Sequence, residues 1–284
     1  MAITINSQRV KAVGEALGRL GLEGVMIIEE GDPQYRALEH LVKRVGDCSS
    51  AALLTVLNAI SAYQLSALGE DYWWEFATYP FKPGDPDSLV RDFISFLVSS
   101  RGNVASRDKK ISRVRRLLTS QTHIEIYAKI DEISRNPEIL RILLSRSLGK
   151  TGYEKTIVFA VKMFYYISRI CGYRSTPPAT IEIPVDRRVA AITYTSGIAD
   201  TSKPDPIEEI MRSYREAQKA WARVSEISGI PMVSLDSILW LCGKYVRDEK
   251  RVEKAYAEIA GYARGRIESG VLLRVVSELL YRKI

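Results

Sequence analysis

Lys155, Phe159 and Lys162 are spaced four and three residues apart, which puts them on one face of a helix. A Gly149-Lys150-Thr151-Gly152 turn comes just before, so Lys155 falls in the first turn of that helix. The remaining positions, from Ile157 through Ile167, are apolar nearly all round, the pattern of a core helix. Two ammonium groups on such a helix are costly unless they line a wet cleft or have partners. Desolvation and the positive end of a helix both disfavour an ammonium. An amine kept neutral is a nucleophile able to form a Schiff base. Asp186 lies 31 residues further on, between Ile183-Pro184-Val185 and a helix-forming run from Arg187, and so caps or begins a second helix. Helix amides there hold a carboxylate ionised. The pair offers an amine that can attack and a fixed anion that can steady positive charge. Taken by themselves, the residues favour a plainer reading, a partly exposed helix-start lysine and an ordinary capping aspartate.

The elements that must position these groups read as helix after helix. Asn6 or Ser7 caps a helix running to about Leu20, closed by Gly21. Asp32 and Pro33 start a second helix that stops at Gly46 and carries Gln34 in its first turn. Ser49–Leu65 is a largely buried helix, and Gly69-Glu70-Asp71 opens an aromatic one holding Trp73. Residues 80–87 form a breaker-rich connection before a helix starting at Asp87 or Ser88. The basic run from Arg107 to Arg116 is either a solvated helix face or a phosphate contact. Thr122–Ile133 and Asn136–Ser147 are two more helices, the second leading into the Gly149 turn. Helix, short glycine turn, helix is the outline of a helical hairpin whose backbone amides can approach a phosphate, although many such turns bind nothing. Beyond Asp186 come a long helix over Glu208–Ser228 and one from Met232 with Asp236 in its first turn and Trp240 on the same face. Pattern alone slightly favours Trp240 as a core residue and Asp236 as a dipole-complementing acid. Arg247–Ile284 forms one or two further helices in which we see no chemistry. Without convincing strand alternation or a repeat, the fold class is all-α.

Composition narrows the function. The 284 residues, 46% hydrophobic, suffice for one large domain or two lobes. A net charge of +7 suits a polyanionic partner such as nucleic acid. Cys48, Cys171 and Cys242 are odd in number and widely spaced, which argues against a disulfide framework or a metal cluster. Only His40 and His123 are present, which disfavours a histidine metal site or a Ser-His-Asp triad. No signal peptide or long uncharged apolar run occurs, so a soluble, cytoplasmic protein is expected. Four Asn and five Gln are few enough to hint at a hot-growing source.

Five segments carry a resemblance: GDPQYRALEHLVKR (31–44), GEDYWWEF (69–76), EKTIVFAVK (154–162), IPVDRRVA (183–190) and GIPMVSLDSILWL (229–241). Together, and in this order, they resemble the archaeal 8-oxoguanine DNA glycosylases, a divergent branch of the helix-hairpin-helix glycosylase superfamily. The resemblance implies a two-lobed helical fold with its active site in the cleft between lobes. It places residues 1–67 with 149–284 in the lobe carrying the catalytic helix and Asp186, and 68–148 in a second lobe leading into the hairpin. Lys155 resembles the lysine that attacks the sugar C1′ and forms the imine. Asp186 resembles the aspartate that assists base departure and later proton transfers. Phe159 and Trp240 match the aromatic pair around the extruded purine, with Gln34, Trp73, Lys162 and Asp236 about its edge. Gly149, Lys150 and Gly152 would meet the DNA backbone. The implied partner is DNA containing 8-oxoguanine, acted on by a monomer without cofactor, metal or membrane. Two departures stand out: Glu154 occupies a position where glutamine is expected, and the Lys155–Asp186 interval is longer than in most helix-hairpin-helix glycosylases. Readings that stay open are a glycosylase for another lesion, a non-catalytic DNA-binding protein and a protein-interaction scaffold.

Overall fold

Helix follows helix through the computed structural model, which describes residues 3–175, 177 and 181–284. The proline-containing crossing that leads to Asp186 lies partly outside those residues. A two-residue strand β1 (Thr4–Ile5) comes first, then α1 (Ser7–Glu29). The Asn6 side chain accepts from the amides of Gln8 and Arg9 at 3.1 and 3.2 Å, satisfying donors that the first turn leaves unpaired. Gly21, expected to end this helix, instead kinks it: its φ of 68° and ψ of 170° interrupt the ladder before helical geometry resumes.

The next nine helices are α2 (Pro33–Val45), α3 (Cys48–Ser61), α4 (Gly69–Thr78), α5 (Pro86–Ser99), α6 (Arg107–Thr119), α7 (Thr122–Ala128), α8 (Ile130–Arg135), α9 (Glu138–Leu148) and α10 (Lys155–Ile170). The α3 cap is Asp47, which accepts from the Ser50 amide at 2.7 Å. Asp85 caps α5 with Pro86 in its first turn, two residues before the expected start. α3 ends at Ser61, so residues 62–65 form a loop rather than its last turn. The expected Thr122–Ile133 helix breaks at Lys129, a break that no glycine or proline marks. α10 is apolar nearly all round because it packs on both α3 and α2. A cluster of Phe76, Phe81, Phe93 and Phe96, with ring centroids 5.5–6.5 Å apart, fills the space under α4 and α5.

The rest comprises α11 (Arg187–Thr195), strand β2 (Ala199–Asp200), α12 (Pro206–Arg212), α13 (Tyr214–Ser228), α14 (Met232–Gly243), α15 (Arg251–Ala263) and α16 (Ser269–Leu279). β1 and β2 pair antiparallel, Thr4 opposite Asp200, and are the only strands among the described residues. A break at Ser213 divides the single helix expected over Glu208–Ser228. α14 starts at Met232, which moves Asp236 just past the first turn. α1 packs against α13, α14 and α16 around one apolar core that includes Trp221, Leu239 and Val276.

The chain divides into two compact units, residues 1–32 with 179–284, and residues 33–178. This differs from the lobes expected from sequence. α2 and α3 pack with α10 and therefore belong with the hairpin, not with the terminal segments. Cysteine usage also misled. Cys48 and Cys171 are bonded, with Cα atoms 6.0 Å apart, because the packing of α10 on α3 brings the residue ending one helix beside the first of the other. Their separation of 123 residues hides the pair in the sequence. Cys242 is free and buried, and burial raises its thiol pKa. No single helix among the described residues is long and apolar enough to cross a membrane.

Candidate active site

Lys155 is the first residue of α10, as its position after the glycine turn predicts. It is exposed. One turn later Phe159 stands edge-on to Trp73, ring centroids 5.8 Å apart at 76°. A cavity of about 340 Å³ opens here, lined by Lys155, Thr156, Phe159, Gly69 and the loop from Ala62 to Ala67. Lysine and ring thus share one hollow, as helical spacing requires. Lys162, a further turn along, is only 4% exposed and lies 5.7 Å from the centre of the Tyr166 ring. Gln34, 8% exposed, sits in the first turn of α2.

Trp73 is held from behind. Its neighbour Tyr72 accepts from Asn103 Nδ2 at 2.7 Å and donates to Asn58 Oδ1, while Lys110 Nζ donates to Asn103 Oδ1 at 2.6 Å. Burial drives the Tyr72 phenol pKa far upward, so it stays a neutral donor. Glu75, also on α4, takes the Ser100 hydroxyl and the amides of Arg101 and Gly102. This network fixes α4 to α3 and to the loop before α6, and so sets the ring against which Phe159 packs.

The hairpin turn is closed by its own chemistry. Gly149 adopts φ 62°, ending α9 in the left-handed conformation that glycine tolerates, and Gly152 adopts φ 95°. The Gly149 and Lys150 amides donate to the carbonyls of Arg146 and Ser145. Those of Thr151 and Gly152 donate to the two carboxylate oxygens of Glu154, at 3.0 and 2.9 Å. Partial burial raises the Glu154 pKa, but these amide bonds outweigh it and hold the carboxyl below the ordinary range. The departure from the expected glutamine thus has a structural role: Glu154 is the turn's internal anion.

Sequence reading missed two features. The apolar spacing carries the helix from Ser49 through residues 62–65, yet Tyr63, Gln64 and Leu65 line the Lys155 cavity, and Gln64 adopts φ 46°. A left-handed glutamine has no signature in composition. Arg113 was only one charge in a basic run. Its guanidinium stacks 4.6 Å from the centre of the Tyr63 ring and donates to the Ile60 carbonyl and to the Thr156 hydroxyl, beside Lys155. The run is therefore not one solvated face: Lys110 is buried, and Arg116 donates to the Leu148 carbonyl at 3.1 Å.

The other unit carries Asp186, Asp236 and Trp240. Asp186 caps α11, its Oδ1 accepting from the amides of Arg188 and Val189 at 2.9 and 3.0 Å, as its sequence position predicts. The fixed carboxylate faces the positive end of that helix. Trp240, half-buried on α14, has the Arg188 guanidinium 3.9 Å from its ring centre and Lys244 Nζ at 4.8 Å. Glu258 of α15 takes Lys244 at 2.9 Å and the Tyr262 hydroxyl at 2.9 Å. Part of the C-terminal segment, in which the sequence shows no chemistry, thereby steadies the surroundings of Trp240. Among the described residues no group of three or more His, Cys, Asp or Glu is placed to hold a metal ion.

An all-helical fold in which a glycine hairpin delivers a lysine to an aromatic-walled cavity has the build of a helical DNA glycosylase. Comparison with known proteins gives the particular family. The family model "AGOG: N-glycosylase/DNA lyase" matches residues 14–269. An N-glycosylase/DNA lyase of Thermococcus kodakarensis is 39% identical over 241 residues, covering 83% of this chain and 84% of that protein. One from Aeropyrum pernix is 32% identical over 293 residues, 99% of this chain and 98% of its own. The crystal structure of the 8-oxoguanine DNA glycosylase of Pyrobaculum aerophilum, complexed with 8-oxoguanosine, superposes with a TM-score of 0.72 at 30% identity, over 91% of this chain and 97% of that one. The chain belongs to the AGOG family and is an N-glycosylase/DNA lyase.

Proposed function

We propose that this enzyme excises 8-oxoguanine from DNA through a covalent imine on Lys155. The Lys155 amine attacks C1′ of the extruded nucleotide and the bond from C1′ to the base nitrogen breaks. The C1′–O4′ bond of the resulting aminal then opens to give the Schiff base, and loss of a C2′ proton with cleavage of the C3′–O bond (β-elimination) releases the 3′ strand. Asp186, held in place as the cap of α11, assists departure of the base and takes part in the later proton transfers. The observation that carries this reading is the shared cavity: Lys155 and Phe159 open onto one 340 Å³ hollow whose ring is braced by Trp73.

A base inside a duplex is out of reach, so it must be flipped out at a cost of about a few kcal/mol. Stacking on an aromatic ring returns roughly 1–3 kcal/mol per base but accepts any base. Phe159 and Trp240 are the proposed stacking rings. Telling oxidised from normal guanine requires an acceptor for the added N7–H, because a buried polar atom left unpaired rejects the wrong ligand. Gln34, nearly buried at the start of α2, is the proposed acceptor through its side chain or nearby backbone, with Lys162 and Asp236 contributing to the base edge.

Borohydride trapping on a duplex containing 8-oxoguanine tests the mechanism. Wild-type protein should form a cross-link and Lys155→Gln should form none; a surviving cross-link moves the nucleophile elsewhere. Trapping across a panel of lesion duplexes tests the substrate, and preferential trapping on another lesion refutes the 8-oxoguanine assignment.

A further inference from the structure

We propose that the DNA backbone is gripped by a basic side-chain pocket formed mainly by α6, and not by the amides of the glycine hairpin. The proposal rests on the glycosylase reading above. In the hairpin, each amide from Gly149 to Gly152 already has an acceptor, two of them on the Glu154 carboxylate. A phosphate arriving there would have to displace an anion from its donors and then lie beside it. That is unfavourable on both hydrogen-bonding and electrostatic grounds.

Next to the turn lies a pocket of about 570 Å³ lined by Lys109, Arg113 and Arg116 of α6, by Lys150 of the hairpin, and by Tyr63 and Asp108. Four cations against one carboxylate is a strong local excess. None of the four makes an ion pair with another described residue, whereas Arg135 and Arg141 of the same unit are paired with Asp131 and Glu138. Two of the four are pre-set: Arg113 by Ile60, Thr156 and the Tyr63 ring, Arg116 by the Leu148 carbonyl. Guanidiniums fixed in place with donors to spare suit a phosphodiester, whose oxygens accept from a planar fork. Tyr63 and Gln64 line both this pocket and the Lys155 cavity, so the two adjoin. The bound phosphate therefore belongs to the lesion strand, within a linkage or two of the nucleotide that Lys155 attacks.

Lys109 and Lys150 are exposed, so replacing either should leave the fold intact. Binding is measured over a range of salt with a duplex carrying a tetrahydrofuran abasic analogue, which needs no base recognition and no chemistry. Lys109→Gln with Lys150→Gln should weaken binding roughly threefold to tenfold and reduce the slope of log Kd against log salt by about one phosphate's worth. A methylphosphonate walked along the lesion strand should find one linkage that reproduces this loss, and at that linkage the lysine substitutions should have no further effect. An unchanged salt slope, or full additivity of the lysine and methylphosphonate losses at every linkage, overturns the pocket while leaving 8-oxoguanine trapping intact. No binding of any duplex by wild-type protein overturns both the pocket and the reading it rests on.

Discussion

Reducing the Cys48–Cys171 bond probes the packing that holds both walls of the lysine cavity. The bond joins the start of α3 to the residue after α10. At their opposite ends, α3 runs into the loop lining the cavity and α10 presents Lys155. It closes a span of 123 residues, and removing a cross-link of that length returns chain entropy worth about 5 kcal/mol to the unfolded state. For a cooperative unit of roughly 150 residues, each kcal/mol moves Tm by about 2–4 °C, so reduction should lower Tm by about 10–20 °C. Calorimetry with and without reductant measures this, and a Cys48→Ser/Cys171→Ser variant should melt near the reduced protein and ignore reductant. Thiol titration in denaturant supplies the count: one reactive thiol, Cys242, before reduction and three afterwards. Three thiols before reduction, or a Tm that reductant does not move, would refute the cross-link and the register of α3 on α10 that it implies.

Other expectations concern charge. Glu154→Gln keeps an acceptor but removes the anion from the hairpin; it should tighten DNA binding at low salt by roughly threefold and cost about 1 kcal/mol of stability, as a charged acceptor becomes a neutral one. Weaker binding by the variant, measured by fluorescence anisotropy, would count against Glu154 as a competitor of phosphate. Lys110 is lowered from its ordinary 10.5 to about 8, chiefly by burial and then by Arg107. Between those two values the unfolded chain binds a proton that the folded chain does not, so stability should rise as pH goes from 8 to 9.5. Denaturant midpoints across that window should show the rise, and Lys110→Met should flatten it; an equal slope in both proteins assigns the effect to other groups.

What the sequence revealed and what it hid follow from the range of the forces concerned. Local signals were legible: Asn6 and Asp186 as caps, Pro33 at a helix start, and the 155–159–162 face all depend on neighbours within one turn. Breaks at Lys129 and Ser213, the left-handed Gln64 and the Cys48–Cys171 pair depend on residues far along the chain, and no residue type announces them. The lobes were misassigned for the same reason, since only packing shows that α2 and α3 belong with α10.

Glu154 shows how the two levels combine. In sequence it is a single departure beside the lysine. In the fold its carboxylate takes two amides of a turn that a glycine-rich outline would assign to phosphate. Satisfied donors no longer attract an outside anion, so attraction for DNA must come from groups with charge to spare. Under the proposed pocket, the basic run of α6, ambiguous between a solvated face and a phosphate contact, divides residue by residue. Lys110 turns inward to an asparagine, Arg113 braces the helix start that carries Lys155, and Lys109, Arg116 and Lys150 keep donors for a partner. On the proposed reading, the internal anion that rigidifies the hairpin also moves the nucleic-acid contact sideways, toward the helix that braces the start of α10.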